Sequence, residues 1–201
     1  MSTDKQTSIP IIDKNSDGYL AGNFLIAGPA MLDKRFKRAV IYMCVHDEEQ
    51  AMGIIINRPK PDLKLSGMLP MLDIKGSVTN KDTGVLYGGP VEPERGFILH
   101  SRDFLDKNNT LPLSETMALT TSKSILTALV SANAPTRAVM ALGYAGWHAG
   151  QLEAEIIHNS WYVAPANEEM IFTATPNDKW KTALASIGVS PELLSAEAGH
   201  A

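Results

Sequence analysis

The chain has 201 residues, 44% hydrophobic and 20% charged, a balance that gives one sizeable core and excludes a disordered or fibrous chain. Its formal net charge of -4 and pI near 5.7 create no overall field to attract a polyanion, so direct nucleic-acid binding is disfavoured. A single cysteine, Cys44, excludes an internal disulfide, no apolar run is long enough to span a bilayer, and the opening MSTDKQTSIP carries no apolar signal segment; together these predict a cytoplasmic protein.

Residues 1–17 are mostly polar with one IPII patch and are expected to form a flexible arm, followed by a single domain over 18–190 and a tail over 191–201. The basic cluster Lys34, Arg35, Lys37 and Arg38 leads into RAVIYMCVH, which with AMGIIIN predicts a β-hairpin across the acidic linker Asp47 to Gln50. Asn57-Arg58-Pro59-Lys60-Pro61 is expected to end the second strand, because proline lacks an N–H and holds its predecessor extended. LKLSGMLPMLDI then reads as a short interrupted helix. Val85 to Tyr87 and Gly96 to Ser101 read as strands around a turn in GGPVEPER. TTSKSILTALVSAN places Ile125, Leu126, Leu129 and Val130 on one helical face behind a Ser or Thr cap. A strand over Arg137 to Leu142, a helix over Gly150 to Asn159, a strand over Trp161 to Ala164 and a helix opened by Pro176 complete the order. Hairpins first and mixed elements later predict an α+β fold.

The stretch GYAGWHAGQLEAEIIHNSW, Gly143 to Trp161, reads as a glycine turn leading into a helix, the arrangement of phosphate-binding loops. Its spacing matches neither GxGxxG nor GxxxxGK[ST], and Glu153 and Glu155 put negative charge where a phosphate would sit. A helical projection sets Leu152, Glu153, Ile156 and Ile157 on one arc and Gln151, Glu155 and His158 on the other. Glu153 among apolar residues requires a partner, and the local one is the backbone N–H at Gly150, as in half of a capping box. Trp147 is expected to pack on the glycines or to floor a pocket. Cys44 and His46, two apart on a strand, would share a face and make Cys44 a candidate redox thiol. The five histidines form no metal-binding pattern beyond one Glu155/His158 ExxH, and there is no GxSxG elbow, helix-turn-helix or zinc-finger pattern, so neither a metal nor a cofactor is expected.

Three blocks in order resemble the AlgH/YqgE family of small bacterial proteins. The first is His46 with Gly53 and Ile56-Asn57-Arg58-Pro59. The second is Gly88-Gly89-Pro90-Val91 with Gly96-Phe97-Ile98-Leu99-His100. The third is Gly143-Tyr144-Ala145-Gly146-Trp147 with Gly150-Gln151-Leu152-Glu153, Asn159 and Trp161. His148 departs from the pattern, where a small residue is more usual. The resemblance implies a strongly bent, mostly antiparallel sheet forming a partial barrel with flanking helices. It also implies a protein often labelled a transcriptional regulator, with no established reaction and no DNA-reading motif. Regulation would then act through a protein partner or a small ligand. The alternative is a ligand-binding domain or enzyme with a pocket near GYAGW, drawing on His46, Asn57, Arg58, His100, Trp147, Gln151 and Glu153.

Overall fold

The computed structural model describes residues 19–78, 84–173 and 175–190; the expected arm over 1–17 and tail over 191–201 lie outside the described residues. The chain begins with β1 (Asn23–Ala27), β2 (Val40–His46) and β3 (Gln50–Ile55), followed by β4 (Pro59–Lys64), α1 (Leu65–Met68) and a 3-10 turn at Pro70–Leu72. Next come β5 (Gly84–Tyr87), β6 (Val91–Ser101), β7 (Thr110–Pro112), β8 (Met117–Thr120) and α2 (Lys123–Leu129). The last part holds β9 (Ala138–His148), α3 (Gln151–Ile157), β10 (Trp161–Pro165), α4 (Glu168–Phe172) and α5 (Pro176–Ser186). The strands form a curled half-barrel in the order β10-β1-β2-β3-β9-β6-β8-β7, with helices flanking it. Among the described residues every strand pair is antiparallel except β5 with β9.

The predicted hairpin forms, with Ile41 opposite Ile55 and His46 opposite Ala51, but its register shifts between Met43 and Val45. That bulge puts Cys44 and Val45 on the same side. Both join the core that holds Tyr42, Phe24 and Leu184, whereas Ile41 and Met43 face the second core with Trp147 and Trp161. His46, one residue after Val45, therefore returns to the second side. The expected shared face of Cys44 and His46 does not exist.

The second strand of the hairpin ends at Ile55, before Asn57-Arg58-Pro59, as expected. The segment from Pro59 then forms a further strand, β4, which among the described residues pairs with β5 alone; an edge position tolerates the missing N–H of Pro59 and Pro61. Two other expectations are corrected. GGPVEPER is not one turn, since β6 already begins at Val91. The glycine stretch GYAGWH is not a loop but the second half of β9.

β9 is the hinge of the sheet. Its first half pairs with β6 on one side and β5 on the other, and its second half pairs with β3, Ala51 opposite Trp147. Between the halves Gly143 adopts φ 74°, a left-handed conformation that bends the strand. Gly88 crosses at this bend, donating its N–H to the Leu142 carbonyl (2.8 Å) and accepting from Ile55 N–H (2.9 Å). A Cβ on Gly88, Gly89 or Gly143 would meet backbone of the opposing segment inside 3.0 Å, so the two glycine blocks are one structural joint. α5 is anchored by Lys179, whose buried Nζ donates to the carbonyls of Ile56 (3.0 Å) and Ile171 (2.8 Å); burial pushes its pKa down to about 8.

Candidate functional site

The second half of β9 delivers Trp147 to the base of α3, and β10 delivers Trp161 beside it, their rings edge to face with centroids 6.0 Å apart. Both indoles are buried, at 5% and 2% exposure, so each N–H requires an acceptor. Glu155 Oε2 takes both, from Trp147 Nε1 at 3.0 Å and from Trp161 Nε1 at 2.7 Å. Its Oε1 accepts from Gln151 Nε2 at 2.9 Å, and Gln151 Oε1 in turn accepts the His148 backbone N–H at 3.2 Å. The carboxylate thus has three neutral N–H donors and no cationic partner among the described residues.

Glu153, on the same helix, points elsewhere. Its Oε1 lies 2.8 Å from His46 Nε2 at the end of β2, in place of the expected local cap. Because Leu20 N–H donates to His46 Nδ1 at 2.9 Å, that nitrogen carries a lone pair, and the ring proton sits on Nε2, donated to Glu153. Tyr19 packs edge-on against the imidazole at 5.3 Å. A hydrogen bond from its own backbone amide, then the His46 ring, holds the Glu153 carboxyl below its ordinary pKa.

Asn57 and Arg58 hold the loop between β1 and β2. Asn57 Oδ1 accepts Val40 N–H at 2.9 Å and its Nδ2 donates to the Arg38 carbonyl at 2.8 Å. Arg58 donates to the carbonyls of Arg35 and Lys37. The loop they fix presents Met31, Asp33, Arg35 and Phe36 to a cavity of about 420 Å³, whose other wall is Trp147, Gln151, Glu155, and Pro90 with Val91 at the start of β6. Leu32 stands at its rim, 93% exposed. Among the described residues no group of three or more His, Cys, Asp or Glu is placed to hold a metal ion.

Comparison with known proteins places this geometry. The profile described as AlgH-like matches residues 24–192. The chain belongs to the AlgH-like family. It is 42% identical over 193 residues to a UPF0301 protein of Rhodospirillum rubrum, covering 96% of this chain and 100% of that one. It is 47% identical over 190 residues to a UPF0301 protein of Nitrobacter hamburgensis, covering 91% and 88%. The solution structure of AlgH from Pseudomonas aeruginosa superposes with a TM-score of 0.75 at 40% identity, covering 94% of this chain and all of that one. A crystal structure from Corynebacterium diphtheriae, at 23% identity and TM-score 0.63, covers 86% and 88% and shares the fold.

Within the AlgH-like fold the seven candidate residues do not converge on one point. Trp147 and Gln151 line the cavity, Asn57 and Arg58 buttress its wall, and His46 with Glu153 forms a separate pair on the other edge of α3. His100 stands apart on β6, where its Nδ1–H donates to the Ser101 carbonyl and its Nε2 accepts from Thr120 Oγ1, both at 2.8 Å. Cys44 packs in the core with its thiol directed at the Tyr42 carbonyl, and burial pushes its pKa up, disfavouring the thiolate a redox role requires. The helical projection puts Glu155, the group that organises the cavity floor, on the arc opposite Leu152. The available signal is the pair of nearby tryptophans, whose N–H groups need an acceptor.

Burial also holds the His100 pKa below its ordinary 6.5. The unfolded chain therefore binds this proton first as pH falls, and the stability contributed by neutral His100, complete above pH 6.5, is lost as pH drops through the folded value. Thermal unfolding followed from pH 7.5 to 5 is expected to show a shallower acid-side decline in His100→Gln than in the parent. Equal slopes would exclude His100 as the titrating group.

Proposed function

We propose that this AlgH-like protein is a non-enzymatic regulatory or interaction protein of the cytoplasm, acting by protein or small-ligand contact at the cavity between the β1–β2 loop and α3, and not by reading DNA. The observation that carries this reading is the cavity itself: about 420 Å³, within the size range of small-ligand sites, with Leu32 exposed at its mouth. Its inward polar groups, Glu155 and Gln151, are committed to hydrogen bonds with protein groups and do not form a nucleophile and base. The net charge of -4 supports a partner other than nucleic acid. The cytoplasmic assignment rests on the single cysteine; no helix among the described residues is long and apolar enough to cross a membrane.

The test is thermal unfolding of the purified protein against a panel of metabolites, nucleotides and divalent metals, with partner capture from cell extract alongside. A ligand present at about 100 times its dissociation constant stabilises by about 2.7 kcal/mol, readily seen in the midpoint. The expected result is a ligand shift or a retained partner that is weakened in Leu32→Gln. Turnover of a substrate by the purified protein, abolished in Trp147→Ala, would instead establish the enzyme reading.

A further inference from the structure

We infer that the cavity binds an organic cation, a primary ammonium on an aliphatic stem, with Glu155 as its counter-ion. This inference rests on the contact reading of the cavity and specifies its chemistry. The charged residues lining the cavity are Asp33, Arg35 and Glu155. Asp33 and Arg35 neutralise one another, with Arg35 Nε at 3.1 and 3.0 Å from the two carboxylate oxygens and Nη2 at 2.7 Å. The charge left over is that of Glu155, which has only neutral donors.

A carboxylate has about four lone-pair positions. The two indoles occupy both on Oε2, and Gln151 occupies one on Oε1, so one acceptor position remains. A single open acceptor suits one N–H of an ammonium and cannot form the two-pronged contact that a guanidinium favours. Phe36 and Trp147 supply aromatic walls, which attract a cation held within about 6 Å of a ring. Phe36 already accepts one cation in this way, Arg35, whose Cζ lies 5.8 Å from the ring centroid. Of the other basic residues in the loop, Arg38 lies over the Trp180 ring at 5.3 Å, and Lys34 and Lys37 do not line the cavity. Met31, Leu32, Pro90 and Val91 make the mouth apolar and suit the hydrocarbon stem.

Trp147 and Trp161 report directly on the site. The full chain is titrated with butylammonium, butanol and butyrate, three probes with a common stem, while the indole N–H resonances of both tryptophans are followed by NMR. Butylammonium is expected to shift both resonances saturably, with a dissociation constant on the order of 1–10 mM, and to bind at least about tenfold more tightly than either control. Glu155→Gln is expected to reduce that preference to about twofold or less, and Phe36→Leu, which removes one aromatic wall and keeps the Glu155 carboxylate, to weaken butylammonium by about three- to tenfold. The peptide acetyl-Leu-Lys-Leu-amide separates the two sources of the same ammonium. Binding about tenfold tighter than butylammonium assigns the site to a lysine of a protein partner, and equal binding assigns it to a free amine; both support the inference. It is overturned if butanol or butyrate binds as well as butylammonium, if both variants bind butylammonium unchanged, or if no probe moves the indole signals. In the first case a ligand still enters the cavity and the contact reading stands while the cation assignment falls. In the last case the cation assignment falls, and partner capture with Leu32→Gln decides the contact reading separately.

Discussion

Gly89→Ala is expected to destabilise the fold by about 4 kcal/mol, an effect at the upper end for a single substitution and about 8–16 °C in midpoint for a chain of this size. The reason is the joint at the bend of β9. A Cβ on Gly89 would stand inside 3.0 Å of the Tyr144 carbonyl carbon and oxygen and of the Ala145 nitrogen, all three of them backbone atoms of the strand it crosses. A flexible side chain could rotate away, but a backbone held by β3 and β6 on either side cannot. The φ of 155° at Gly89 adds a conformational cost for any L side chain. Gly150→Ala is the control. Gly150 also has a left-handed backbone, φ 72°, at the start of α3, but its Cβ would meet nothing within 4 Å. That substitution is expected to cost about 1 kcal/mol, the conformational penalty alone. Chemical denaturation of the two variants and the parent measures both values; equal losses would show that the crossing is not the source of the effect.

The same joint explains what could be read from the residues alone. RAVIYMCVH and AMGIIIN are long, β-branched and flanked by clear breaks, so local pattern and tertiary pairing agree and the hairpin is legible. Gly143 and Gly146 look like punctuation because a glycine usually weakens a strand, yet here β9 runs through them to pair with β3. The close approach of Gly88 and Gly89, more than 50 positions earlier, is what demands Gly143, and no local window contains both segments. The prolines of β4 mislead in the same way, since only the sheet order makes that strand an edge. The bulge at Cys44 is invisible in an alternating apolar run, and it reverses the side on which Cys44 lies relative to His46.

The site was legible in part. Trp147 and Gln151 belong to the third family block and line the cavity. The helical projection failed at one turn: Ile157, placed on the apolar arc, is 75% exposed, while Glu155, placed on the polar arc, faces two indoles. A short helix packed mainly by one residue, Leu152, gives hydrophobic periodicity little to measure. Gln151 on α3 itself reaches Glu155 Oε1, but the other partners of Glu153 and Glu155, His46, Trp147 and Trp161, come from β2, β9 and β10, so they depend on how the sheet curls.

Glu155→Ala is expected to destabilise the protein by about 3 kcal/mol, because two buried indole N–H groups lose their common acceptor. Glu155→Gln keeps one carbonyl oxygen for the indoles but loses the charge and the acceptor that Gln151 Nε2 uses, so about half of that loss is expected. Stability alone would not separate hydrogen bonding from packing, and a double-mutant cycle with Trp147→Phe does. Phenylalanine at 147 keeps an aromatic ring against Trp161 but has no N–H to satisfy, so removing Glu155 should then cost about 1 kcal/mol less than in the parent. Additive losses would mean that Glu155 contributes through α3 itself and not through the indoles. The coupling also bears on the cavity: a carboxylate fixed by two indole donors is aimed before any ligand arrives, so the side of Oε1 left open is set by β9 and β10 and not by the ligand.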